Sequence, residues 1–302
     1  MAEALAGTRS RAEAHALGVF LLLVSNLFFA LSGVFTKSIQ ADLWTILGWR
    51  GLVGGVLVAL YVALKQRRAG QPVDLRLDRR GWLIAVVSAG ASVLFIGSFK
   101  LTSVASVVVI YATMPFMAAA LAFFVFGERL GSRTLIAAGL SFLGVVISVR
   151  GGLGEGQLFG DLVAVAMTFA CAVYIVMVRA FQNTNSVWAS GVAALILVPV
   201  GLLFGDYSAI SWQDALLMTL FGASFAAAII LWTEGGRLVP SGEAGLLGTA
   251  EMPIAVGLAW IFIGEVPGTW SLAGGVIVLA AVACHAWLDM RARQKAAPQS
   301  VR

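Results

Sequence analysis

Ten long stretches of this chain are nearly free of charge, and no other feature constrains its fold as strongly. They cover residues 17–36, 44–64, 82–99, 103–126, 134–149, 158–178, 187–204, 212–232, 244–263 and 269–288. A helix crossing a bilayer needs about 20 apolar residues. Lipid offers no partners to backbone N–H and C=O groups, so only helices or closed barrels cross it. A barrel strand alternates apolar and polar residues over about 10 positions. These runs are continuous, so they predict helices. The chain is 60% hydrophobic and 12% charged, with a mean hydropathy of +0.94. An ordinary soluble domain is about 25% charged, and no soluble core of this size hides so much apolar surface. The expected fold class is an all-α membrane protein with ten transmembrane helices. The longest connection, 65–81, is too short for a soluble domain.

The net charge of +5 could suggest a nucleic-acid partner, but its placement argues otherwise. Sixteen of the 20 Lys and Arg fall in the tails and alternate connections that share one face, and three in the opposite set. Arg50 lies inside a span. This bias follows the positive-inside rule and predicts both termini in the cytoplasm. The basic balance is thus an orientation signal, and no nucleic-acid partner is expected. "ALS" at 30–32 weakly resembles a signal-peptide cleavage site, but the first run reads as span one, since its removal would break the repeat described next. Cys171 and Cys284 both fall within spans and show no disulfide or zinc spacing.

The stretch "VVVIYATMPFMAAALAFFVFGERLG" (107–131) has a later counterpart in "LGTAEMPIAVGLAWIFIGEVPG" (247–268). Met114-Pro115 matches Met252-Pro253, and Gly127-Glu128 matches Gly264-Glu265. "NLFFALSGVFTK" (26–37) loosely matches "TFACAVYIVMVR" (168–179). The chain therefore divides into two five-span repeats, 1–150 and 151–302, joined near the glycine-rich residues 151–156. Five is odd, so the second repeat crosses the membrane inverted. Inverted repeats suit alternating access, with substrate held near the midplane where interrupted helices meet. Proline lacks an N–H, so Pro115 and Pro253 deprive the Tyr111 and Thr249 carbonyls of their helical partners. Such freed backbone at membrane depth belongs in protein or beside a wet cavity. The matched prolines read as hinges at a central cavity. The blander reading is a packing kink relieved by Thr113 or Thr249.

On these residues the sequence resembles the EamA branch of the drug/metabolite transporter superfamily. The resemblance rests most on "LTSVASVVVIYATMPFMAAALAFFVFGERLGSRTLIAAGLSFLGVVIS" and "IFIGEVPGTWSLAGGVIVLAAV" and covers nearly the whole chain. Arg50 in "LGWRGLVGG" matches an arginine typical of span two. Membership implies ten helices, no cofactor and no metal, movement of small metabolites, and a plasma-membrane location, here the bacterial inner membrane. Within the branch the chain is most similar to bacterial aromatic amino-acid exporters. It departs from many relatives at Glu251-Met252-Pro253, where they carry glutamate directly before the proline.

Glu251 is the acid nearest the middle of any span. A carboxylate there is costly and faces a cavity or a partner. It is a candidate for proton coupling or for binding a substrate ammonium. Its alternative is a protonated acid bonded to a helix carbonyl. Arg50 is expected to snorkel or pair structurally, with a gate as the other reading. Glu128 and Glu265 read as structural hairpin residues, each near a helix N-terminus that favours its charge. Asn26, Tyr111, Tyr174 and Trp232 are candidate cavity residues whose flat apolar bodies and polar tips suit an aromatic or aliphatic amino acid. Each of them is equally at home in ordinary packing. Trp44, Trp82, Trp188, Trp212 and Trp270 lie near span ends, as an interfacial belt would place them. Gly51, Gly55, Ser271 and Gly275 read as close-packing positions. His15 and His285 read as incidental.

The leading expectation is a secondary transporter, monomeric, exporting small hydrophobic or aromatic amino acids, with protons as a candidate coupling ion. A carrier of nucleotide sugars or other anionic metabolites would need several midplane bases. An intramembrane enzyme would need an HExxH, paired aspartates or a histidine dyad within the spans, and the sequence has none. "GGLGEG" at 151–156 lacks the lysine of a phosphate loop.

Overall fold

The computed structural model describes residues 2–127, 131–152, 157–182, 184–208 and 210–296, which form helices and short connections with no strand among them. In chain order the helices are α1 (Ala2–Ser38), α2 (Leu43–Arg68), α3 (Arg79–Leu101), α4 (Val104–Tyr111), α5 (Met114–Phe126), α6 (Ser132–Gly152), α7 (Leu158–Ala180), α8 (Ser186–Phe204), α9 (Trp212–Gly236), α10 (Ser241–Gly248), α11 (Glu251–Ile263) and α12 (Thr269–Ala296). α4 and α5 share one crossing, Val104–Phe126, and α10 and α11 share another, Glu243–Ile263. The described residues therefore hold ten crossings, with ends within four residues of the apolar runs in the sequence.

Local signals set the helix ends. Asp42, Asp78, Ser103, Asn185 and Ser211 cap α2, α3, α4, α8 and α9, each accepting from a first-turn N–H that has no intrahelical partner. α5 and α11 both end on a left-handed glycine, Gly127 at φ 67° and Gly264 at φ 66°. Only glycine takes that conformation at no steric cost. The repeated Gly-Glu pair thus has a backbone cause for its first member.

The two repeats interlock. The most extensive packing pairs α2 with α8, α6 with α12, α1 with α9 and α3 with α7. Exchanging the repeats turns the α1–α9 pair into α7–α3, the α2–α9 pair into α8–α3, and the α1–α11 pair into α7–α5, and all of these occur. The fold is an inverted pair of five-span units related by a pseudo-two-fold. Small residues make its central seams possible. A Cβ on Gly201 would stand 2.5 Å from the Gly48 Cα, and one on Gly274 2.3 Å from the Gly144 carbonyl oxygen. Gly51, Gly55 and Gly275 likewise meet a neighbouring helix closely. Phe124, Leu203 and Ile261 are among many large apolar side chains left exposed around the bundle, as a protein dissolved in lipid requires.

Trp82, Trp212 and Trp270 are exposed near helix ends, as a belt would place them. Trp188 is not in the belt. It is buried, and its indole N–H donates to the Leu75 carbonyl at 2.7 Å. A loop carbonyl supplies the partner that the interface would otherwise provide.

Candidate functional site

The fourth and ninth crossings break just ahead of their prolines. α4 ends at Tyr111 and α5 begins at Met114; α10 ends at Gly248 and α11 begins at Glu251. A threonine hydroxyl steadies each break by donating back one turn: Thr113 to the Ile110 carbonyl and Thr249 to the Leu246 carbonyl, both at 2.7 Å. The Thr113 carbonyl accepts from the N–H groups of Phe116 and Met117 at 3.0 and 3.1 Å. Neither hydroxyl reaches a carbonyl that a proline deprives, Tyr111 or Thr249; the Thr249 carbonyl accepts from the Met252 N–H at 3.4 Å.

The break in the ninth crossing gathers residues from four other crossings. Glu251 opens α11, and the core cluster that holds its neighbour Met252 also takes in Tyr111 of α4 and Cys171 of α7. Tyr174, on α7, hydrogen-bonds Ser190 at 3.0 Å. From α1, Asn26 donates to the Leu247 carbonyl at 2.7 Å, and its own buried side-chain oxygen has no partner among the described residues. From α9, Trp232 lies against Gly248 and meets Phe29 edge-on, with ring centroids 6.4 Å apart. Tyr111, Cys171, Tyr174 and Glu251 are each half-buried. Two open apolar grooves on the flanks, one at Val145–Arg150 and one between α3 and α7, hold none of these residues.

Arg50 does not snorkel. It is 4% exposed, and its guanidinium lies 4.8 Å from the Phe221 ring centroid and 4.2 Å from that of Phe225. The two rings of α9 hold the cation by their π faces, and its Nε has no hydrogen-bond partner among the described residues.

Each end of the seam between repeats closes on a glycine. On the face carrying the chain termini, a Cβ on Gly18 would stand 2.6 Å from a Val239 methyl; on the opposite face, one on Gly160 would stand 2.6 Å from the Leu101 carbonyl. The offset of the sequence match, Asn26 to Thr168, carries Gly18 onto Gly160. Around Gly18 the buried part of the seam is hydrocarbon: Leu22, Val239 and Ala244 are buried with Val19 against them, and the His15–Glu243 pair is part-exposed one turn away. Around Gly160 it is polar. Asp161, 1% exposed, accepts from the Thr102 and Ser106 hydroxyls at 2.8 and 2.7 Å. Glu265 accepts from the Val104 N–H at 2.5 Å. Glu265 is thus more than a hairpin residue: its carboxylate caps α4, in the other repeat, and not the helix that follows it. Glu128 lies outside the described residues.

Several contributors escaped the sequence reading. Asp161 is the main one, and its signal was available: the offset that pairs Gly18 with Gly160 pairs Val19 with Asp161, an acid where the matching position is apolar. His15 also has a partner, Glu243 on α10 at 2.9 Å. His285 does not bond through its buried Nδ1 among the described residues.

On the face opposite the termini, Lys100 donates to the Ile39 and Ala41 carbonyls at 2.7 and 3.2 Å, and the Gln40 N–H donates to Asp214 at 2.9 Å. Asp42 joins in by accepting from the Asp206 N–H at 3.0 Å. Every one of these contacts links segments that ten alternating crossings put on the same face.

Comparison with known proteins agrees with this architecture. A crystal structure of another protein superposes with a TM-score of 0.63 at 20% identity, covering 93% of this chain and 99% of that one, which shows the fold. A Bacillus subtilis (strain 168) protein described as the uncharacterized transporter YvbV is 27% identical over 266 residues, 83% of this chain and 84% of that protein. The model of the EamA-like transporter family matches residues 16–150 and 158–286, one segment in each repeat. With most of its length matched in this way, the chain is a multi-pass membrane protein that belongs to the EamA-like transporter family.

Proposed function

We propose that this transporter exports small hydrophobic or aromatic amino acids by alternating access. The observation that carries the reading is the company around Glu251. An acid at membrane depth opens a broken helix, with Tyr111 in the core cluster of its neighbour Met252 and with Asn26 and Trp232 against Leu247 and Gly248 just before it. A carboxylate suits a substrate ammonium, and flat rings suit an apolar side chain. Glu251 also serves as the proton-coupling group. Arg50 supplies a positive charge for a substrate carboxylate or acts as a gate. Pro115 and Pro253 act as the hinges, and residues 151–156 join the two repeats, 1–150 and 151–302. The protein works as a monomer in the bacterial inner membrane with both termini cytoplasmic, an orientation supported by the placement of its basic residues.

A carrier of nucleotide sugars is less well supported. Among the described residues Arg50 is the one fully buried base, which suits a single carboxylate better than a diphosphate. The test is a proteoliposome assay with a panel of labelled amino acids, with and without an imposed pH gradient. Flux of at least one aromatic or branched amino acid is expected. Flux of sugars or nucleotides with no amino-acid flux would overturn the reading.

A further inference from the structure

The seam at Gly160 holds an acid that closure does not require. Both ends of the seam close by the same glycine contact, and at the Gly18 end the buried side chains are hydrocarbon, with the His15–Glu243 pair part-exposed one turn away. At the Gly160 end, Asp161 is buried and its charge is only half satisfied. The Thr102 and Ser106 hydroxyls both donate to Oδ1, while Oδ2 is buried with no partner among the described residues. A second carboxylate, Glu265, converges on the same turn of chain at Val104. Lys100, two residues before Thr102, is engaged on the Ile39 and Ala41 carbonyls, and Arg150 stands over the Trp270 ring. Among the described residues neither acid has an ion-pair partner, which is costly in a medium of low dielectric.

The geometry points to a sodium site, with Asp161 Oδ2 as its charged ligand and the Thr102 and Ser106 oxygens beside it. A hydroxyl that donates its one hydrogen to Oδ1 still has lone pairs for a cation. The Gln157 side-chain oxygen, 3.1 Å from the Thr102 hydroxyl, adds another oxygen to the cluster. The donors are all hard oxygens, which suit hard cations. One open carboxylate oxygen among neutral hydroxyls favours a monovalent ion, since the Glu265 charge is already spent on the α4 N-terminus. Thr102 and Ser106 belong to the first repeat and Asp161 to the second, so the site exists only while this face is closed. Sodium therefore stabilises the closed seam, by preferential binding to one conformation. The binding claim stands without the transport reading above; coupling of sodium to transport rests on it.

The experiment is thermal unfolding of the purified full-length protein in detergent, titrated with NaCl against choline chloride at constant ionic strength and constant pH. The unfolding temperature is expected to rise along a saturable curve in sodium only. Ser106→Ala should move the midpoint about tenfold toward higher sodium, the effect of losing one contact to a charged group. Asp161→Asn should flatten the curve. If Asp161→Asn does not fold, the Ser106→Ala shift decides. Equal curves in sodium and choline, a sodium response unchanged in Ser106→Ala, or stabilisation that follows acidification with no response to sodium, would each overturn the site. Because this readout is binding, its failure leaves the amino-acid flux assay untouched.

Discussion

The Glu265 carboxylate accepts a hydrogen bond from the Val104 N–H, 161 residues away in sequence and in the opposite repeat. One repeat thereby caps the broken helix of the other. Glu265→Ala leaves the first turn of α4 without its carboxylate. The expected loss of stability is about 1 kcal/mol, the usual scale of a helix cap. Glu265→Gln should recover part of it, since an amide oxygen still accepts. Unfolding temperatures of the three proteins in one detergent check the ranking, and equal values for all three would remove the capping role.

The two seam glycines predict opposite responses. A side chain at position 160 meets the Leu101 backbone first, at 2.6 Å, whereas one at position 18 meets the side chains of Val239 and Leu238 first and the Gly235 carbonyl oxygen only at 3.1 Å. Gly160→Val should hold the face opposite the termini open, and Gly18→Val should hold the terminal face open by a smaller margin. Overpacking of this kind costs about 1–3 kcal/mol, enough to shift a balanced two-state population. Maleimide labelling of single cysteines at the two faces should rise on opposite sides in the two variants. Labelling that rises on the same side in both contradicts the paired-seam geometry.

Arg50 offers a test that separates stability from function. Replacing a buried charge with a hydrophobic residue of similar volume is often neutral or stabilising. Arg50→Met should therefore keep the unfolding temperature while reducing transport strongly. Arg50→Lys keeps the charge but loses the planar stack on Phe221 and Phe225, a loss of about 0.5–2 kcal/mol. Full transport by Arg50→Met would show that the cation serves packing alone.

Glu251→Gln removes a titrating group while keeping its shape. Transport by this variant should no longer vary with pH, because the proposed coupling proton has nowhere to bind. The measurement is flux at a series of matched pH values, in parallel with the parent protein. A pH profile unchanged by the substitution takes proton coupling away from this residue.

Asp42 gives a prediction for acid stability. Burial opposes its charge, but the Thr45 hydroxyl and the N–H groups of Asp206, Thr45 and Trp44 outweigh burial and hold its carboxyl below the usual range. A carboxyl depressed on folding contributes stability above its unfolded pKa, about 3.9. That stability disappears as pH falls through the lower folded value. Asp42→Asn should lower the unfolding temperature at pH 7, with the difference shrinking as pH falls below about 4. A difference that stays constant with pH would assign the effect to shape and not to charge.

The fold was legible because lipid leaves little freedom. An apolar run of the right length has one stable form, and the odd number of runs per repeat forces inversion. Pro115 and Pro253 announced both helix breaks to within a few residues, since the missing N–H acts locally. Contacts across the seam were harder to see. His15 and Glu243 meet over 228 residues, and no periodicity connects them. Trp188 sits near a helix end like its belt neighbours, and only the Leu75 carbonyl beside it explains its burial. Arg50 looked like a residue that reaches for headgroups until Phe221 and Phe225 closed around it. Tyr111 and Tyr174 suit packing as well as a cavity, and Glu251 suits a protonated acid bonded to a helix carbonyl; no spacing in the sequence tells that Tyr111 shares a core cluster with Met252.

The interlocking of α2 with α8 and of α6 with α12 bears on how the protein is made. A nascent chain that has inserted only its first five spans presents grooves shaped for partners not yet synthesised. Its maturation must wait for the remaining spans, so biogenesis completes in one late cooperative step. Damage to either copy is then felt by the whole molecule, and neither copy is a module that evolution or an engineer can exchange alone.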